Sequence, residues 1–140
     1  MNFKEVLTKL YFILIYSDGK VNEKEVSYGR KMILAEGIDE EYFLSQIKLL
    51  EVSNHQQNLL PEAISGLKKL SKEEQIRCIA WLCVIANSDG FMDKSEWQMI
   101  YRLYHKELQL PLDVIMKAQK NLAASATRNP LSNLTGNVLI

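Results

Sequence analysis

Five carboxylates in this 140-residue chain are spaced in a way that suits cation chemistry: Asp18 and Glu25 in one segment, and Asp89, Asp93 and Glu96 in another. Both segments read Asp-Gly-x-apolar-Asn/Asp-x-x-Glu. They are Asp18-Gly19-Lys20-Val21-Asn22-Glu23-Lys24-Glu25 and Asp89-Gly90-Phe91-Met92-Asp93-Lys94-Ser95-Glu96, with matching residues 71 positions apart. Carboxylate oxygens are what hard divalent cations prefer, and a helix–loop–helix calcium loop carries Asp, Gly, an apolar residue, a polar residue and Glu in the same order. On that template, however, the first and third ligand positions hold Leu14 and Tyr16 in one copy and Ile85 and Asn87 in the other. Each turn alone therefore offers at most about four oxygens where calcium takes six to eight.

Three readings of the turns stand side by side. If the helices before them run parallel, the corners lie at one end of the molecule, and Asp18, Glu25, Asp89, Asp93 and Glu96 converge. Clustered carboxylates repel one another unless something neutralises them. Such a surface would hold a weakly bound divalent cation (calcium, magnesium, manganese or zinc) or dock a protein. The third reading is mechanical. Gly19 and Gly90 take the left-handed conformation past a helix end, and Asn22 and Asp93 cap the next helix while Glu25 and Glu96 reach back, each cap worth ~1 kcal/mol. That leaves Asp18 and Asp89 unexplained, since an acid there faces the negative end of a helix dipole. Phe91, inside the second turn, is a candidate contact for a partner.

The elements that position these corners are helices. Apolar residues recur at spacings of three and four from end to end, and nothing alternates with period two for long. Phe3, Val6, Leu7, Leu10, Ile13 and Leu14 predict a first helix to about Ser17, apolar nearly all round in its second half. A second runs from the Asn22 cap to Gly37 with Val26, Gly29, Met32 and Ile33 inward, and Gly29 within it implies a close neighbour. A third starts near Asp39 and fades near Val52. Ser53 to Asn58 reads as a polar connector, and Pro61 opens a fourth helix defined by Leu60, Ala63, Ile64, Leu67 and Leu70. Ser71-Lys72-Glu73-Glu74 is a capping box for a fifth helix, which is apolar on every face through Ala86. Asp93 and Glu96 start a sixth, with Trp97, Tyr101 and Tyr104 along a core stripe, and Pro111 opens a seventh.

The fold class is therefore all-α, with about seven helices in two pseudo-symmetric three-helix halves, a linking helix between them and two long central helices. Residues 1–126 form a single domain and 127–140 a partly ordered tail.

Composition narrows the function. Seventeen basic and seventeen acidic residues cancel, so no positive field draws nucleic acid. The longest apolar run, Leu10 to Tyr16, falls far short of the ~20 residues that span a bilayer and is followed by Ser-Asp-Gly-Lys rather than a signal-peptidase site. The expected compartment is the cytoplasm. Cys78 and Cys83 are about 140° apart around a helix, wrong for a metal pair, and read as buried thiols. His55 and His105 read as surface residues, and no phosphate loop or His/Glu metal motif occurs. Enzymatic activity is not expected; a small cysteine-dependent enzyme is the alternative.

Two Asp-Gly turns about seventy residues apart in an all-helical chain of this length resemble the tellurite-resistance TerB-like family, also found as the N-terminal part of some membrane-anchored J-domain co-chaperones. The resemblance covers about residues 3 to 125. It implies a seven-helix fold of two halves, an acidic surface with metal association around the turns, and a bacterial stress-response role through protein partners, some at the membrane. Asp18, Glu25, Asp89 and Glu96 match the motif acids, whereas Asp93 is matched only by Asn22 in the first half.

Overall fold

The computed structural model describes residues 1–17, 21–53, 56–90 and 92–127. Asp18, Gly19, His55, Phe91 and the tail beyond Thr127 lie outside them. The described residues form seven α-helices and no strand: α1 Phe3–Ile15, α2 Glu23–Glu36, α3 Glu40–Val52, α4 Gln56–Lys68, α5 Lys72–Ala86, α6 Lys94–Tyr101 and α7 Leu112–Thr127. A π-helical turn, Arg102–Glu107, continues α6.

The two helices that read as apolar all round are the central ones. α5 buries every residue from Cys78 to Ala86, and α1 buries Val6, Leu7, Leu10, Tyr11, Phe12, Leu14 and Ile15. They pack on each other, with α3 and α4 against α1, α7 against α5, and α2 across the join against α5 and α7. They also run parallel. Near the start of α1 Lys4 Nζ donates to the carbonyl of Gly37 at 3.2 Å, while Arg77 in the first half of α5 and Trp81 at its middle reach the adjacent Glu36. At the other end Ser17, just past α1, meets Ser95.

Local capping sets where the helices begin. Asn2 with Glu5, Ser71 with Glu74 and Asp93 with Glu96 form reciprocal capping boxes. Asn22 departs from the expected box: its side-chain oxygen accepts from Lys24 N at 2.8 Å rather than from Glu25, and its amide is engaged across the join. α4 also begins earlier than the proline suggested. It starts at Gln56 within the segment read as a connector, and Pro61 lies inside it, forgoing one backbone bond that the packing of α4 on α1 offsets.

Gly29 does mark a close approach. A Cβ built there would fall 2.5 Å from Tyr11 Cζ, and the Tyr11 hydroxyl donates to the carbonyl of Glu25 at 3.4 Å. The tyrosine ring thus lies across the bare backbone of α2. Val26, expected to face inward beside it, is 40% exposed.

The sixth helix differs most from the helical stripe. Met99, Ile100, Leu103 and Tyr104 are buried, but Trp97 is 38% and Tyr101 37% exposed. These two rings, expected in the core, instead cover each other at 6.0 Å between centroids, and Tyr101 stacks on exposed His105 at 4.7 Å. The cause is the position of α6 at the edge, where it packs on α5 and has no comparable contact with α1 or α3.

The π-helical turn also shifts the repeat. α2 and α6 begin 71 residues apart, at Glu23 and Lys94, but α3 and α7 begin 72 apart, at Glu40 and Leu112. The left-handed residue ending the second helix moves likewise, from Gly37 (φ 68°) to Gln109 (φ 53°). A turn bonded i→i+5 takes up one more residue than an α-turn, as Leu108 N to Leu103 O at 3.0 Å shows. A non-glycine residue in this region costs about 1–2 kcal/mol. Gln109→Gly should therefore raise stability by up to about 1 kcal/mol after the entropy that glycine adds to the unfolded chain. Urea denaturation would measure it, and a loss of stability would mean that the Gln109 side chain contributes more than its backbone costs.

Candidate functional site

Both corners lie at the C-terminal end of the parallel pair α1 and α5, and they touch. Asn22 Nδ2 donates to Asp89 Oδ2 at 3.0 Å, joining the first corner to the second, and the Ser17 and Ser95 hydroxyls are 3.4 Å apart. The supposition that the corners share one side of the molecule holds for every part of them that is described. Gly90 has φ 84°, the left-handed turn expected of it.

The five acids have different environments. Asp89 is exposed and Asp93 half-exposed, whereas Glu25 and Glu96 are buried, at 6% and 3% exposure. Asp93 accepts from Ser95 N at 2.9 Å and from the Ser95 hydroxyl, and these bonds hold its carboxyl below the usual aspartate range. Glu96 Oε1 accepts from Asp93 N at 3.3 Å, completing the capping box. The outward acids of the described surface are therefore Asp89 and Asp93, while Glu25 and Glu96 lie beneath them. Asp18, the remaining motif acid, lies outside the described residues.

Among the described residues no group of three His, Cys, Asp or Glu side chains is placed to hold a metal ion. Asp89 accepts from Asn22 and Asp93 from Ser95, neutral donors that favour the ionised carboxylates without cancelling their charge. Ser88 Oγ, two residues before Gly90, is buried with no hydrogen-bond partner among the described residues, whereas its repeat counterpart Ser17 has Ser95.

Both cysteines are buried in α5. Burial pushes the Cys83 thiol up to about 12 and raises Cys78 as well, with Glu36 and Glu74 adding to the latter. Neither supplies a thiolate at neutral pH.

Sequence reasoning missed one polar centre. Glu36, one of four acids with Asp39, Glu40 and Glu41 around the start of α3, has a side chain only 8% exposed and accepts from Trp81 Nε1 at 2.6 Å and Arg77 Nε at 2.5 Å. It clamps α2 to α5. Asp39, by contrast, caps α3, and Glu40 pairs with Arg30 at 2.7 Å on the surface. No local pattern distinguishes Glu36 from its neighbours, because its partners lie more than forty positions away.

A family model described as tellurite resistance protein TerB matches residues 4–113, most of the chain. The chain belongs to the TerB family. The matched span includes both corners and ends at the second residue of α7, short of the full extent expected from the motifs. Neither the curated proteins nor the solved structures compared with this TerB-family chain give a match. Among the described residues, no helix is long and apolar enough to cross a membrane.

Proposed function

We propose that this TerB-family protein is a non-enzymatic, cytoplasmic stress-response component that works by docking a protein partner on the acidic surface made by its two corners. The observation that carries this reading is the Asn22–Asp89 bond at 3.0 Å, which makes one continuous surface of two segments distant in sequence. Over residues 21–25 and 87–96, the outward acids Glu23, Asp89 and Asp93 outnumber Lys24 and Lys94. A surface of that sign favours a basic partner and raises its encounter rate.

The double variant Asp89→Asn/Asp93→Ser removes two charges, keeps an acceptor for Asn22 and leaves a good N-cap at position 93. Quantitative affinity purification should show partners retained by wild type and depleted at least tenfold by the variant; equal retention would remove these acids from the interaction. Calorimetric titration with calcium, magnesium, manganese and zinc tests the cation reading on the same pair of proteins. A saturable site lost on Asp89→Asn, with partner retention abolished by chelator, would make cation binding the primary function.

A further inference from the structure

Beside the corners, a groove of about 510 Å³ runs between α1, α4 and α6. Phe12 and Ile13 of α1, Tyr16 just past its end, Leu59 and Leu60 of α4, and Met99 of α6 line it. Its polar end is formed by Ser17 and Ser95, the same hydroxyls that join the corners. Its volume lies within the roughly 300–1,000 Å³ typical of binding clefts.

The other half of the molecule shows why the groove is open. α2 packs against both α5 and α7, whereas α6, its counterpart, makes no comparable contact with α1 or α3. The seam that α2 closes in one half is left unclosed in the other. Acids stand at both sides of the opening. Asp93 accepts from Ser95 at the polar end, and Glu51 Oε2 accepts from the Tyr16 hydroxyl at 2.5 Å; exposed Lys94 is the basic residue beside Asp93.

We infer that this groove receives the apolar face of a basic amphipathic helix from a partner protein, with lysine or arginine beside the buried side chains set against Asp93, Asp89 and Glu51. The inference rests on the docking reading above and specifies the chemistry of its partner. An apolar channel ending in an acidic rim matches a segment that alternates leucine-type anchors at helical spacing with cations, the groove-binding mode in which apolar positions supply affinity and charge fixes direction.

The probe is a fluorescein-labelled synthetic helical peptide of leucine and lysine, with leucines at i, i+3, i+4 and i+7. Its control has every lysine replaced by glutamate. Anisotropy with the full 140-residue chain should show saturable binding of the lysine peptide and none of the control. Ile13→Gln and Leu60→Gln, both at half-buried positions on different helices, should each weaken binding at least tenfold while circular dichroism remains native. Asp89→Asn/Asp93→Ser should weaken it severalfold, as should raising NaCl from about 50 mM to about 500 mM.

No binding of the lysine peptide below about 1 mM overturns the inference, as does equal binding of the two peptides. If the apolar variants bind normally while the acid variant fails, the groove is excluded and the acidic corner stands. If the acid variant binds normally, the basic partner is excluded. Binding that appears only after removal of residues 128–140 assigns the groove to this chain's own end, and binding that competes with self-association assigns it to a second copy; either result overturns the inference.

Discussion

Trp81→Ala should lower the unfolding free energy by about 3–5 kcal/mol, the range for deleting a large buried aromatic side chain. Trp81 is fully buried in the middle of α5, the helix that most other elements pack against. The loss has two parts. One is the cavity, which the surrounding α1, α2 and α7 close only partly. The other is the clamp: without the indole N–H, the Glu36 carboxylate keeps only Arg77 at a site where its side chain is 8% exposed. Trp81→Phe separates them, since it fills most of the space but donates nothing, and should cost about 1–3 kcal/mol. Urea titrations of both variants, followed by far-ultraviolet circular dichroism, would measure the two parts. A Trp81→Ala cost below that of Trp81→Phe would contradict the packing described for α5.

Gly29→Ala should destabilise by about 1–3 kcal/mol even though alanine is the better helix former. Helix propensity alone favours the change by about 1 kcal/mol. The new methyl would meet the Tyr11 ring at 2.5–2.6 Å from its Cζ and Cε1 atoms, well inside contact distance. Tyr11 cannot simply rotate away, for it is 3% exposed and packs on Phe43 at 5.4 Å between centroids. Its hydroxyl, further, is tied to the Glu25 carbonyl, immediately after the first corner. A double-mutant cycle with Tyr11→Leu should recover most of the loss, because leucine withdraws the ring from the glycine. Gly29→Ala as stable as wild type would mean that the α1–α2 spacing is slack.

How far these features could be read beforehand depended on how local their causes are. Ser71 and Asp93 with their glutamates three residues on are satisfied within one helical turn, so the capping boxes were visible in sequence. Gly29 was legible for a related reason: a glycine inside an otherwise regular helix loses stability unless a neighbour needs the space. The meeting of the two corners followed from the duplicated motif once parallel central helices were supposed. The exposure of Trp97 and Tyr101 was not legible, because helical spacing identifies a shared face but not whether another helix covers it. The burial of Glu36 depended on Arg77 and Trp81 in the other half, and the split between outward Asp89 and inward Glu96 on tertiary packing. Asn22 serves a local and a distant partner at once, since its side-chain oxygen accepts from Lys24 N while its amide reaches Asp89.

The wide turn at Arg102–Glu107 bears on the ancestry of the fold. If the halves arose by duplication, the copies remained in phase through the start of α6 and fell out of phase by a single residue before α7. A hybrid assembled from two first halves would restore that phase, and its second copy of α2 would be set to lie across α1 and α3 as the original lies across α5 and α7. Such an idealised ancestor would have no cleft to offer. In such a lineage, divergence between the copies, rather than their likeness, would be what left the cleft open.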